Sequence, residues 1–142
     1  MGYALRRRLL PFFLAAVCAL LPGCQRSAEN EAARVLVDGA RWPGGSMDAE
    51  SLDDLRVYVT LDGKDLIDLP FSQAHTIDIL LSDGGENHIV LTGESVYMND
   101  ANCENHDCVD MGAVTRENLE LRVMGGFIIC LPHRISVEVR GE

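Results

Sequence analysis

Aromatic and basic residues are scarce in this chain. Of its 142 residues, one is Trp, three are Tyr and four are Phe. So few aromatic rings argue against a platform on which bases or sugars stack. Lys and Arg number 12 against 22 Asp and Glu, which gives a net charge of −10. Because binding to a phosphate backbone requires Lys and Arg at the contact, we expect no nucleic-acid partner.

The sequence also lacks the motifs of common catalytic sites. It contains no nucleophile elbow in a Ser-His-Asp arrangement, no phosphate-binding glycine loop and no HExxH zinc motif. The abundant carboxylates do not follow the spacing of a calcium loop. We therefore expect a protein that is not an enzyme and that needs no cofactor.

The N-terminus has the pattern of a targeting signal. Arg6–Arg8 form a basic segment, and an apolar stretch follows from Leu9 to Leu21. This stretch is shorter than the roughly 20 residues of a membrane-spanning helix, so the pattern predicts a signal peptide over residues 1–23. An uncleaved short anchor and cleavage at another position are the alternatives.

The signal ends in Leu-Pro-Gly-Cys, which resembles a bacterial lipobox. In that type of signal the cysteine is lipidated and becomes the new N-terminus, so Cys24 is the predicted lipidation site. We therefore expect attachment to the cell membrane through this lipid, with the protein on the extracytoplasmic face. Removal of residues 1–23 takes away three basic residues and no acids, leaving 9 basic and 22 acidic residues and a net charge of −13.

The polar stretch after Cys24 predicts a tether over residues 24–54. Trp42-Pro43-Gly44-Gly45-Ser46 is a strong turn-forming cluster within it. The segment Arg34–Val37 fits either a short strand or the end of a helix, and the pattern does not decide between them.

Residues 55–140 show the pattern of a β domain. Val57, Val59 and Leu61 alternate with polar residues, and Asp62-Gly63 then provides a tight-turn dipeptide. Further short alternating segments follow, the last one around Ile135–Val139. We therefore predict an all-β fold, an antiparallel barrel or sandwich, with one short helical turn near residues 105–111.

Three cysteines lie in this β domain, and four interpretations of them stay open. A disulfide would join Cys103 to Cys108 or Cys108 to Cys130, which an extracytoplasmic compartment permits. A metal set would add His133 and bind zinc or another thiophilic ion. A redox dithiol is disfavoured because Glu104 and Asp107 lie between the first two cysteines and raise thiol pKa values. The last interpretation is three buried, inert thiols.

The order of these segments resembles the NusG domain II family over roughly residues 55–140. The matching pieces are a strand pair around Asp62-Gly63-Lys64, then Cys103-x4-Cys108-Val109, then an apolar strand ending Ile129-Cys130-Leu131-Pro132-His133, and a closing strand. Members also occur alone behind N-terminal membrane segments. The resemblance implies a small all-β, barrel-like domain and implies little about activity.

Together these features predict a membrane-anchored, extracytoplasmic and non-enzymatic binding or accessory module that presents a protein-facing surface near the membrane. The rival hypothesis is a metal-binding or thiol-redox module built from Cys103, Cys108, Cys130 and His133. The two hypotheses differ in a testable way, because the rival predicts joint loss of metal or reactivity when any one of the four is replaced.

Overall fold

The computed structural model describes residues 32–47 and 54–141 of the chain. The predicted signal peptide, Cys24 and residues 48–53 lie outside this part. The all-β prediction is confirmed. The elements are β1 Ala33–Val37, β2 Ala40–Arg41, β3 Leu55–Leu61, β4 Lys64–Pro70, β5 Ala74–Leu81, β6 Glu86–Thr92, β7 Ser95–Ala101, α1 Asp107–Asp110, β8 Val114–Thr115, β9 Phe127–Cys130 and β10 Ile135–Gly141.

The strands form two antiparallel sheets. The larger sheet has six strands in the order β2-β1-β5-β6-β7-β8, and the smaller has four in the order β4-β3-β10-β9. The β3–β4 hairpin turns at Asp62 and Gly63, which both have positive φ angles, of 52° and 74°. Positive φ at two successive turn residues matches the right-handed strand twist, so the Asp-Gly dipeptide turned the chain as predicted.

A single apolar core lies between the two sheets. Alternate residues of β3, such as Val57 and Val59, are buried, and those of β5 and β6, such as Ile77 and Ile89, are buried against them. Because every second side chain of a strand points to the same face, this alternation places one face of each sheet inward. The arrangement is a sandwich, and the described residues form no closed barrel.

The folded part begins earlier than the predicted domain boundary at residue 55. β1 pairs with β5 over its whole length, from Ala33 opposite Leu81 to Val37 opposite Ile77. Of the two alternatives for Arg34–Val37, the strand is therefore correct. Trp42 also joins the domain, because its indole N–H donates to the Leu66 carbonyl at 3.2 Å. The tether predicted over residues 24–54 thus contains two strands of the larger sheet.

The two ends of the sandwich carry different features. At one end, which we call the Ala32 end, the amide of Ser82 donates to the Ala32 carbonyl at 3.0 Å. The turn that begins at Ser82 reaches Gly85, which lies directly against the ring of His133. At the opposite end, the Thr115 end, β8 pairs with the start of β7, and the long loop 116–126 begins.

No helix within the described ranges is long and apolar enough to span a membrane.

Candidate functional site

The three cysteines of the domain come from separate elements and meet in the core near the Ala32 end. Cys103 follows β7 closely, Cys108 lies in α1, and Cys130 is the last residue of β9. Their Sγ atoms all lie within 4.8 Å of one another, and all three side chains are buried. We call this group the cysteine cluster.

The short helix brings Cys108 into the cluster. The sequence predicted a helical turn near residues 105–111, and the N-cap residue of the helix is His106, which has a φ of 53° and makes no side-chain cap hydrogen bond. The helix then stops at Gly112, whose φ of 69° is the left-handed conformation typical of a helix C-terminus. Only one buried side chain, that of Cys108, points from the helix into the core.

The cluster thiols are close but unbonded. Cys103 Sγ lies 3.6 Å from Cys108 Sγ, which exceeds the roughly 2.05 Å of a disulfide bond. All three thiols are free in the structure. The disulfide interpretation therefore requires a further movement of one side chain.

Burial keeps the central thiol protonated. It raises the pKa of Cys108 far above the ordinary value, and the neighbouring thiols of Cys103 and Cys130 add to this effect. A protonated thiol is a poor nucleophile, because the thiolate is the reactive species. Cys108 is therefore not arranged as the attacking thiol of a redox enzyme.

The fourth residue of the predicted metal set lies apart from the three sulfurs. His133 Nδ1 donates to Asn87 Oδ1 at 2.6 Å, and its Nε2 side faces Gly85. Asn87 is fully buried and donates in turn to Met98 Sδ at 3.4 Å. His133 thus joins the two sheets through a hydrogen bond, while the group within 4.8 Å contains only cysteines.

Sequence reasoning missed the role of Asn87. It lies in a strand-like run, and its partner is 46 residues away in sequence. The signal in the sequence was an amide side chain among apolar strand residues. Burial of an amide is unfavourable unless its polar atoms are hydrogen-bonded, so a partner could have been expected.

Two further histidines, His75 and His88, contact carboxylates. His75 Nδ1 lies 2.7 Å from Asp38 Oδ2, and His88 Nδ1 lies 2.7 Å from Asp78 Oδ1. The hydrogen bond from His75, helped by the backbone amide of Thr76, lowers the pKa of Asp38. These pairs join β1 to β5 and β5 to β6 across the larger sheet.

A second feature lies towards the Thr115 end, in residues 119–124, which we call the apolar loop. Leu119 packs against the core, whereas Leu121, Val123 and Met124 are exposed by 83%, 102% and 47%. An apolar side chain exposed alone is ordinary, but three within four residues form a patch.

Arg122 holds the apolar loop in this shape. Its guanidinium donates to four backbone carbonyls, those of Met111, Ala113, Gly125 and Phe127, at 3.0–3.4 Å. The polar side chain therefore points inward, and the flanking apolar side chains point outward. The sequence pattern of residues 113–123 is ambiguous, because these hydrogen bonds do not produce a periodic hydrophobic pattern.

The fold and the order of its motifs agree with one family of sequences. The profile of NusG domain II matches residues 11–142, nearly the whole chain. This chain belongs to the NusG domain II family. The resemblance predicted from the cysteine and Leu-Pro motifs is thereby confirmed, and the match extends further towards the N-terminus than residue 55.

Solved structures of relatives have the same fold as this NusG domain II protein. A protein from Listeria innocua is 22% identical with a TM-score of 0.53, and covers 63% of this chain and 98% of its own. A DUF1312 family protein from Enterococcus faecalis is 21% identical with a TM-score of 0.54, and covers 62% of this chain and 98% of its own. No curated protein matches the chain.

Proposed function

We propose that this NusG domain II protein is a lipid-anchored, extracytoplasmic and non-enzymatic module that binds a protein partner through its apolar loop. The observation that carries this proposal is the exposure of Leu121, Val123 and Met124 on a loop held in shape by Arg122. A preformed apolar patch on a polar surface is the usual mark of an interaction site.

The position of the loop fits an anchored protein. Eight residues lie between Cys24 and Ala33, where β1 begins, so the chain reaches at most about 30 Å from the lipid to the sandwich. The chain joins the sandwich at the Ala32 end, and the apolar loop follows β8 at the opposite end. A protein anchored at Cys24 would thus present the loop away from its attachment point.

Charge indicates the chemistry of the partner. Glu117 and Glu120 are exposed beside the apolar patch, and the chain after residue 23 has a net charge of −13. Such a surface disfavours contact with anionic lipid headgroups and favours a protein with an apolar pocket rimmed by Lys and Arg. The occupant we propose is therefore a basic-rimmed protein, neither a lipid surface nor a second copy of this acidic chain.

The test places a photo-reactive residue at Val123 in the full chain, with the same residue at Leu131 as a matched control. Leu131 is also exposed, by 78%, but it follows β9 near the Ala32 end. We expect one protein adduct from Val123 and none from Leu131. Adducts at both positions, or adducts only with lipid or with the chain itself, would contradict the proposal.

The identified partner then allows a quantitative test. Val123→Ser and Leu121→Ser should each weaken binding about 10-fold to 100-fold, because a buried aliphatic side chain contributes roughly 1.5–3 kcal/mol. Glu117→Lys together with Glu120→Lys should slow association and remove its salt dependence. Unchanged affinity in all these variants, measured by titration of the purified pair, would show that the adduct was incidental.

The cysteine cluster supports a second candidate function, a metal-binding or thiol-redox module. The specific observation is the convergence of three thiols from separate elements to within 4.8 Å. Replacing any one of them should abolish metal binding or reactivity under this candidate, whereas under the first it should alter only stability.

A further inference from the structure

We propose that the cysteine cluster is an all-sulfur binding site for Cu(I). This inference deepens the second candidate function by naming the ion and by removing His133 from the ligand set. It depends on the arrangement of Cys103, Cys108 and Cys130 and does not depend on the apolar loop.

The sulfur positions suit coordination of a single ion. Thiolates that bind one tetrahedral metal at about 2.3 Å are about 3.8 Å apart, and a trigonal arrangement separates them by about 4.0 Å. The closest pair in the cluster is 3.6 Å apart, and every pair is within 4.8 Å. Small side-chain rotations would place all three sulfurs at bonding distance from one central ion. Each Cu–S bond would replace an S–H bond, and the thiol proton would be released to solvent.

The ligand set distinguishes copper from zinc. Structural zinc sites are almost always closed by a fourth protein ligand, whereas catalytic sites fill the fourth position with water. Within the described ranges, the group contains no nitrogen or oxygen ligand from His, Asp or Glu, and His133 is held by Asn87. The cysteines are only 1–3% exposed, so the cluster has little room for a water ligand.

The surroundings of the cluster also suit a soft ion. Met111 ends the helix that carries Cys108, and its thioether accepts the amide hydrogen of Ile129 at 3.3 Å. Ile129 immediately precedes Cys130 in β9. Thiolate and thioether ligands select Cu(I) among the biological metals, and Cu(I) tolerates low coordination numbers.

The first experiment measures copper binding by the full chain with Cys18→Ser and Cys24→Ser, so that only the cluster thiols remain. The protein is purified in detergent, fully reduced without oxygen, and titrated with Cu(I) against a chromophoric Cu(I) chelator. We expect one Cu(I) per chain. In a parallel titration, Zn(II) with a zinc chelator should give no stoichiometric binding.

Variants test which residues are ligands. Cys103→Ser, Cys108→Ser and Cys130→Ser should each lower Cu(I) affinity at least about 100-fold, beyond the effect typical of residues that only orient ligands. His133→Asn is the matched control, and it should keep full affinity. Loss of copper in His133→Asn with circular dichroism unchanged would overturn the all-sulfur assignment.

Two measurements on the protein that keeps all three cluster cysteines do not depend on whether a variant folds. Cu(I) should raise the melting temperature of the protein, and X-ray absorption should show sulfur scatterers alone in the first shell. No melting shift, a nitrogen ligand, or preferential retention of zinc would each contradict the proposal. The copper experiments do not use Cys24 or the apolar loop. A negative copper result would therefore not contradict the anchored binding module, and a negative result with the apolar loop would not contradict the copper site.

Discussion

At the scale of single residues, the domain depends on a few polar side chains that make long-range hydrogen bonds. Arg122 contacts four carbonyls around the apolar loop, and Asn87 with His133 joins the two sheets. Such partners were not predictable from the sequence, because neither periodicity nor local spacing encodes them. This explains why we placed His133 in a ligand set: its spacing from Cys130 suits a metal site, but its actual partner lies on β6.

Arg122→Ala should destabilise the protein by about 1–3 kcal/mol, because it leaves partly buried carbonyls without a donor. Arg122→Lys should recover little, since an ammonium group cannot reproduce the planar fork of donors. Urea unfolding measures both variants. Arg140→Ala serves as a control, because the Arg140 side chain is exposed and, among the residues that the structure describes, makes polar or ring contacts with Glu138 and Tyr58. Equal effects of the Arg122 and Arg140 substitutions would contradict the role given to Arg122.

The hydrogen bond between Asp38 and His75 predicts that the stability of the protein depends on pH. The pKa of Asp38 is lower in the folded protein than in the unfolded chain, so its contribution to stability is complete above about pH 4. That contribution is lost as the pH falls through the depressed folded pKa. Asp38→Asn should therefore lower the melting temperature at pH 5, and the difference from the parent protein should shrink towards pH 2. A difference that is constant across this range would exclude the linkage.

At the scale of elements, strand patterns were the most predictable part of the fold. The alternating segments around Val57, Ile77 and Val137 became β3, β5 and β10, and the Asp62-Gly63 turn formed as expected. β1 stayed ambiguous because a segment as short as Arg34–Val37 fits a strand or a helix end equally well. The apolar loop escaped prediction altogether, because its shape depends on Arg122 and has no period.

Gly126 allows the chain to approach β10 closely just before β9, the strand that carries Cys130 into the cysteine cluster. A Cβ at this position would lie 2.1 Å from the carbonyl oxygen of Val139, and the Val139 amide donates to the Gly126 carbonyl at 2.9 Å. Gly126→Ala must therefore separate β9 from β10, with a loss of about 1–3 kcal/mol or more.

Gly141→Ala provides the matched control, because its added Cβ meets only an ordinary contact at 3.5 Å. This control should change stability by less than about 0.5 kcal/mol. Chemical denaturation measures both variants. Alkylation of Cys130 should also become faster in Gly126→Ala only, and an unchanged alkylation rate would show that β9 keeps its position.

At the scale of the whole molecule, the sequence predicted the fold class, the family and the three cysteines as one candidate group, whereas the geometry of that group emerged only from the fold. The sandwich brings cysteines from β9, α1 and the segment after β7 to within 4.8 Å of one another and leaves His133 hydrogen-bonded to Asn87. The sandwich also separates two regions. The N-terminal segment enters the sandwich at the Ala32 end, and the apolar loop lies at the Thr115 end. This separation is why we propose an anchored module that displays a binding loop.

The most direct test of this account is the intact mass of the protein extracted from membranes of bacteria that produce the full chain. We predict a mature protein that begins at Cys24, carries covalent lipid and is found in the membrane fraction. Protease added to cells with permeabilised outer layers and an intact cytoplasmic membrane should digest it. Cys24→Ser should remove the lipid and release the domain. A soluble, unlipidated chain that retains residues 1–23 inside the cell would contradict the central claim.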